Sequence, residues 1–511
     1  MKKLIFFSFL FISTSTHALE QTAQINQKIQ SDYEEMDYSI EEPFILLNPY
    51  NRNPLAALIK FKTEKEAQIE YTLYDKQNNI EIKHLFDEFK QEHEVPALAL
   101  YPNHLNKISL TAYYKDNTSQ KVDLSIKTNK VDKKALIIPL EKNDKDNRYH
   151  YMHGGLIFDE AGSIRLSFKP EYEMLYFFNN QFIAEDRNLG LITYNMLGEK
   201  TATYTYPKNF TSFTHGLVQK PNKNFLILGS FKNKTALFEN KEAQTQRDFI
   251  IEIDAKTKKH INTIDLAEIL NPDRSVIIKS STENFGLNNW CHLNGIDYDE
   301  KDSSILLSCR HVGMIKINER TKEPIFILSH HKGFEKSGRF GKGQSLESVL
   351  LTALDKQGKK LPETIQKGEN FHPDFKWPGK THDARNYKNG IYSIFDNAGL
   401  LYDKKIITTH HSNAHIFKID EKNKTVQTLF FYPLPFYSES GSSVLFNPEY
   451  NDVSIYTSII KDNEQKGLGY ARLMRIDFKT HQKMFDALIY RGGETYFYGI
   501  QPFSFYPPKQ K

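Results

Sequence analysis

Ile251-Glu252-Ile253-Asp254, Ile315-Lys316-Ile317-Asn318 and Phe417-Lys418-Ile419-Asp420 decide the fold of this chain. Each tetrad sets apolar residues two apart, the spacing at which strand side chains share a face. Each then meets a turn rich in Asp or Asn and a second alternating strand. The same hairpin recurs over Leu156–Phe168, Leu191–Tyr206, Phe249–Leu266, Met314–Leu328, His415–Tyr432 and Leu473–Tyr490. Six copies predict a mainly β protein, a six-bladed β-propeller. In each blade the hairpin is the outer pair of a four-stranded meander, and the run before it is the inner pair. The first copy has no inner pair before it, and Tyr496–Phe505 is the stretch that would supply one and close the ring.

Working outward, the repeat pauses before its fifth copy at an insertion, roughly 332–380. It holds one helical stretch, Leu346–Asp355, and then a loop rich in Pro, Gly and Lys. Long insertions often carry function, so a lid or a dimer contact is expected. Residues 40–142 lack the hairpin signature. Their short alternating strands, Ala56–Phe61, Ala67–Tyr74, Lys107–Tyr114 and Lys121–Lys127, predict a small β-sandwich. Asn143–Arg148 is a charged linker, and 149–511 is the propeller domain. Residues 19–39 are polar, helical or mobile.

Residues 1–18 have the pattern of a secretory signal: Lys2-Lys3, an apolar core from Leu4 to Ser13, and small residues at Thr16-His17-Ala18. Cleavage after Ala18 and a bacterial periplasmic location are expected, with no membrane span in the mature chain. A formal charge of +4 over 511 residues, two of those charges being Lys2 and Lys3, argues against nucleic acid as a partner.

The chemistry lies in three histidines. Thr214-His215-Gly216, Cys291-His292-Leu293-Asn294 and Thr381-His382-Asp383 open three successive runs that the propeller makes inner strands. Inner strands converge on the axis, so the three imidazoles point into one funnel. The hairpin Leu293–Asp299 and Ser304–Val312 adds Arg310. With an odd loop, His292, Asn294 and Arg310 share one face and Cys291 and Cys309 the other; an even loop or a bulge reverses that. The cysteines are a disulfide or two buried thiols. A site of cations and donors suits a compact oxyanion such as sulfate or phosphate. Metal binding is not expected: in His330-His331 and His410-His411 adjacent side chains on a strand face opposite ways. No phosphate-binding Gly-x-x-x-x-Gly-Lys loop occurs, and no cofactor is expected.

Trp290-Cys291-His292-Leu293-Asn294-Gly295-Ile296-Asp297-Tyr298, followed by Ser308-Cys309-Arg310-His311, resembles the paired motifs of bacterial arylsulfate sulfotransferases that work without the nucleotide sulfate donor. Thr381-His382-Asp383-Ala384-Arg385 with Ser393-Ile394-Phe395-Asp396-Asn397 resembles that family's nucleophile segment, and Thr214-His215-Gly216 its first histidine. The resemblance covers roughly 40–505 and implies an Ig-like N-terminal domain and a homodimer. It implies a ping-pong reaction in which a phenolic sulfate donor passes its sulfuryl group to His382, and a phenol acceptor takes it. His215, His292 and Arg310 would bind sulfuryl oxygens, and His292 would also serve as general acid and base. Asn294 would orient a ligand. Glu439 and Ser443 resemble positions near the nucleophile, with Glu439 tuning His382. The alternatives are a histidine-dependent aryl sulfate hydrolase and a non-catalytic anion-binding propeller of the envelope.

Overall fold

The protein is described from a computed structural model over residues 9–131, 135–144, 146–169, 175–238, 241–273, 288–398, 411–439, 441–460, 470–491 and 499–506. Among these, six four-stranded antiparallel meanders form the blades of a β-propeller. Blade 2 runs Leu175–Phe178, Gln181–Asp186, Gly190–Tyr194 and Lys200–Thr205. Blade 3 is Phe210–Gln219, Phe225–Phe231, Phe249–Ile253 and His260–Asp265, with a two-stranded hairpin (Thr235–Phe238, Lys241–Gln244) set between its second and third strands. Blade 4 is Leu293–Asp299, Ser304–Cys309, Gly313–Asn318 and Pro324–Leu328. Blade 5 is Thr381–Tyr387, Ile391–Asp396, Asn413–Asp420 and Thr425–Pro433. Blade 6 is Ser443–Asn447, Asp452–Ile460, Tyr470–Asp477 and Lys483–Arg491. The six hairpins read from the sequence are the outer pairs of the six blades.

Blade 1 closes the ring. Ile500–Phe503 lies against Tyr149–Met152, which is followed by Leu156–Asp159 and Ile164–Ser167. Only its innermost strand comes from the far end of the chain, as 500–503 rather than the full 496–505; part of that predicted stretch, 496–498, lies outside the described residues. The second strand, 149–152, directly precedes the first hairpin.

The polar position inside the tetrads is exposed at Lys418 but buried at Glu252 and Lys316. Lys316 is 1% exposed, and its Nζ lies 2.7 Å from Glu421 of blade 5, 2.8 Å from Asp299 and 2.9 Å from Asp302. Arg475, at the same place in blade 6, holds Glu160 of blade 1 at 2.7 Å. Glu252 in blade 3 accepts from Lys220 at 2.9 Å, and Lys220 also reaches Glu319 of blade 4 at 2.5 Å. Glu160, Glu319 and Glu421 each directly follow the Asp or Asn of their own blade's signature. A buried cation on one blade and the acid after the signature of the next therefore staple neighbours at three junctions. These acids join carboxylates of the cation's own blade in balancing the buried charge, which favours the pairing once the blades pack.

The N-terminal domain differs from expectation in detail. All five of its strands belong to one hydrogen-bonded sheet, because Ala57–Tyr74 and Ile80–Ala97 are each 18 residues long. Register shifts near Lys62, Ala67 and Ile69 break the first of these where two shorter strands were read. The strand 80–97 escaped the reading because its middle, Asp87–Glu92, is exposed and mostly charged, with no alternation of buried apolar residues. The domain also ends before 142: Ala135–Lys142 pairs with Lys483–Arg491 as a fifth, outermost strand of blade 6. Arg165 of blade 1 fastens the domain through Glu81 Oε2 at 2.9 Å and the Ala99 carbonyl at 2.6 Å. The expected signal segment falls partly outside the described residues (1–8). A helix, Phe9–Glu34, continues through the polar segment beyond it. No described helix is long and apolar enough to cross a membrane.

The insertion also departs from its reading. Instead of a helix over 346–355 there is one 3-10 turn, Glu347–Val349, and then Thr352–Ala353 runs parallel to the outer strand of blade 5. Thr352 N–H donates to the Lys424 carbonyl at 2.8 Å and Leu354 N–H to that of Val426 at 2.9 Å. An open sheet edge offered these groups partners that outcompeted a short helix. The ordered pairings of the insertion are thus at the rim.

Replacing Lys316 with Met strands three carboxylates without their cation. Burial pushes Asp299 up, but the Lys316 hydrogen bond and charge hold it below the ordinary carboxylate range. The variant is expected to lose about 3–5 kcal/mol at neutral pH, measured by urea unfolding. The deficit should shrink at acid pH, where the stranded carboxylates protonate.

Candidate active site

Each of the three histidines sits where an inner strand breaks register. In blade 3 the pairing with Phe225–Phe231 skips between Ser212 and Leu217, which loops His215 out of the ladder. In blade 4 it slips between Leu293 and Gly295, directly after His292. In blade 5 it skips between His382 and Arg385. A bulge bends its strand and re-aims the side chains beside it. His292 and Asp383 take left-handed backbone, both at φ 52°. Close approach of the strands makes the bulges meet. A Cβ on Gly295 would lie 3.0 Å from the Asp383 Cα, and one on Gly216 would lie 3.2 Å from the Ile296 side chain.

The blade 4 hairpin answers the register question in an unexpected way. Asp299 pairs with Ser304 across an even loop of four residues, which reverses the parity. The bulge at Asn294 reverses it again, so Leu293 faces Cys309. Cys291 and Cys309 are joined in a disulfide with Cα atoms 4.9 Å apart. Backbone bonds from Arg310 N–H to the His292 carbonyl (3.1 Å) and from Thr381 N–H to the Arg310 carbonyl (3.2 Å) tie the three site segments together.

His382 is 2% exposed, and its Nδ1 meets the Asn397 Oδ1. The Asn397 amide cannot turn over: its Nδ2 donates to the Ser438 carbonyl at 2.8 Å and towards that of Gly441 at 3.4 Å. Its oxygen therefore faces His382, and the imidazole proton sits on Nδ1. Burial, then the charge of Arg310, hold His382 well below the usual histidine range.

His292 stacks on His215 with ring centroids 5.4 Å apart and planes 15° from parallel. Arg247 Nη1 lies 2.8 Å from His292 Nε2, and the Asn289 amide lies 2.6 Å from Nδ1. The Asn289 contact is made by its Nδ2, and Arg247 Nη1 also lies 3.2 Å from Nδ1, so the guanidinium sits over the imidazole and reaches both ring nitrogens. Burial first, and Arg247 second, hold both His215 and His292 well below their ordinary range. Burial and Arg310 likewise push Lys380 below the usual lysine range.

His215, His292, His382 and Arg310 thus come together at the axis. The other predicted residues have different work. Asn294 Nδ2 donates to the Thr381 carbonyl at 2.7 Å, and its Oδ1 accepts from Ser308 at 2.7 Å. It joins the blade 4 strand to the His382 strand while 1% exposed. Glu439 lies beside Arg310 and Lys380. Its carbonyl accepts from Arg310 at 3.0 Å, its side chain is exposed, and its charge acts on Lys380. Ser443 lies at the junction of blades 6 and 1, with Oγ 3.5 Å from the Ile500 carbonyl. Two residues gained no role from the sequence. Asn397 was visible, since the end of its strand pairs with Thr381-His382. Arg247 was not, since it arrives from the loop after the inserted hairpin. Of the histidine pairs, His410 lies outside the described residues. The one group of convergent acids among the described residues, Asp299, Asp302 and Glu421, already surrounds Lys316.

The family described as arylsulfotransferase (ASST) matches residues 106–498, and the arylsulfotransferase Ig-like domain matches 44–129. The chain is similar to the arylsulfate sulfotransferase AssT of Escherichia coli O6:H1, 28% identical over 326 residues. That alignment covers 57% of this chain and about half, 52%, of the relative. It is also similar to AssT of Lelliottia amnigena, 24% identical over 539 residues, covering 85% of this chain and 88% of the relative. Among solved structures, the β-propeller domain of Myceliophteria thermophila Cps50 (Swd1) superposes with a TM-score of 0.34 at 9% identity, covering 72% of this chain and 90% of that one. The WD40 repeats of RRP9 give 0.32 at 8%, with 70% and 98% covered. Superpositions that loose carry no argument, and the propeller rests on the strand pairing itself.

The buried histidines predict acid lability. His215, His292 and His382 are held well below 6.5, and His153 and His311 are lowered to about 3. Below about 6.5 the unfolded chain takes up protons that the folded one refuses, so each such histidine removes about 1.4 kcal/mol per pH unit until its folded pKa is reached. Urea midpoints measured from pH 7 to 5 should fall steeply, and bound sulfate should reduce the fall.

Proposed function

The chain belongs to the arylsulfotransferase family, and from that premise we propose that it moves a sulfuryl group from a phenolic sulfate ester to an acceptor phenol through His382. The observation that carries this reading is the gathering of His215, His292 and Arg310 around His382, whose Nδ1 is held by the Asn397 oxygen. In the first half-reaction Nε2 attacks sulfur, the S–O ester bond breaks, and its electron pair leaves on the phenolate oxygen, which takes a proton from His292, a neutral ring that gains that proton from water as the anionic donor binds. In the second, the acceptor phenol attacks sulfur as its proton passes to His292. The S–N bond breaks and its electron pair returns to His382. Atoms balance, with one sulfate ester and one phenol on each side.

Charge supports the same reading. The reacting group carries negative charge on its equatorial oxygens throughout, and fixed cations offset it most strongly where water is excluded. Arg310 points a guanidinium into the site while held by a carbonyl and not a carboxylate. A neutral imidazole is the competent nucleophile, and the depressed pKa of His382 keeps it neutral well into the acid range.

Location and assembly belong to the same proposal. The Lys2-Lys3 and apolar start, together with a disulfide, suits a periplasmic enzyme. A homodimer is supported by Leu136, Ile138 and Leu140, which lie exposed on the outermost strand of blade 6.

Incubation with a chromogenic aryl sulfate and phenol tests the transfer. Release of the donor phenol should depend on the acceptor, and His382→Ala should abolish it. Donor alone should leave a one-sulfuryl mass increase on the wild-type chain that phenol removes. Release unaffected by phenol would reassign the protein as a hydrolase. Asn397→Ala should lower kcat by about a hundredfold or more with KM near wild type, because the imidazole loses its fixed tautomer.

A further inference from the structure

The imidazole that the transfer reading uses for acid–base work lies under a guanidinium. Arg247 Nη1 sits 2.8 Å from Nε2 and 3.2 Å from Nδ1 of the same ring. This placement is not the wandering of a long side chain. The Arg247 backbone is held on both sides: its N–H donates to Ser230 Oγ at 2.6 Å, and its carbonyl accepts from Leu293 N–H at 3.1 Å. The next residue, Asp248, is fully buried and accepts from the Trp290 indole at 3.1 Å. The loop is therefore docked on the same segment, Trp290 to Leu293, that presents His292.

A guanidinium on a neutral imidazole is a compromise. Hydrogen bonds from arginine to an oxyanion are charge-assisted and roughly twice as strong as those to neutral acceptors. An arriving sulfate ester offers oxyanions within the same cluster, since Arg247 bears on His215 and His292 alike. We propose that Arg247 is a further sulfuryl-binding residue that caps His292 in the empty site and is drawn off it by the donor's anion. The proposal rests on the transfer reading above and deepens it. One event then does two things: the sulfuryl oxygens gain a second guanidinium beside Arg310, and His292 Nε2 is freed to exchange a proton with the phenol oxygen.

The groups facing His292 fix the sign of the pH effect. They are Arg247, Arg310, His215 and His311, with Asn289 on Nδ1. Removing the nearest cation makes protonation of His292 easier. Protonated His292 is the acid of the first half-reaction, so the alkaline limb of kcat/KM for the donor should move to higher pH.

The test uses the full chain with Arg247→Gln and Arg247→Lys. Inorganic sulfate titrated by calorimetry reads the anion contact without any turnover. Arg247→Gln should weaken sulfate binding by about tenfold or more, raise the donor KM, and shift the alkaline limb upward. Arg247→Lys, which keeps the charge, should hold the limb near wild type. Wild-type sulfate affinity in Arg247→Gln overturns the binding role, and an unmoved limb overturns the capping role. A wild-type protein that binds sulfate but never transfers sulfuryl groups defeats the transferase reading, while the calorimetric comparison still decides whether Arg247 holds the anion.

Discussion

Everything in this molecule depends on inner strands packing backbone against backbone around one axis. Gly216 and Gly295 permit that approach, since a Cβ at either would press on the neighbouring strand. At such spacing a regular ladder would send alternate side chains into the next blade. The three bulges relieve this and turn the histidines into the axial space. A functional centre and a packing solution are thus the same feature, and His292 adopts left-handed backbone to satisfy it. Asn294, locked between Thr381 and Ser308, and the disulfide beside it hold that conformation in place.

Charge is divided between rim and axis. At the rim, Lys316, Lys220 and Arg475 are each surrounded by carboxylates from their own and the next blade. At the axis, Arg310 meets a carbonyl and Arg247 meets an imidazole. The division gives the ring its closure and leaves the centre electropositive, which is what a sulfate ester requires. It also explains why the histidines are held neutral: burial and nearby cations act in the same direction on all three.

Two amide side chains set the chemistry of those neutral rings. Asn397 is oriented by two carbonyls and imposes Nδ1–H on His382. Asn289 faces Nδ1 of His292 while Arg247 takes Nε2. The first contact fixes the tautomer of His382, and the others hold the His292 ring under a guanidinium.

Local pattern was sufficient for the repeating parts. The alternation Ile251-Glu252-Ile253-Asp254 and its copies located all six outer hairpins, because a half-buried strand and its turn leave their mark within a few residues. The placing of His215, His292, His382 and Arg310 in one centre followed from that repeat and from family resemblance. What the pattern misread has a common cause. The insertion became a strand because a distant sheet edge was open to it, and Ala135–Lys142 left its domain for the same reason. The cysteines met because an even loop and a bulge cancelled, neither of which alternation records. Arg247 reached His292 through a loop docked by long-range hydrogen bonds. Periodicity is a property of neighbours along the chain, whereas a bulge, an open edge or a docked loop is decided by whatever the folded neighbour offers in hydrogen bonds and space.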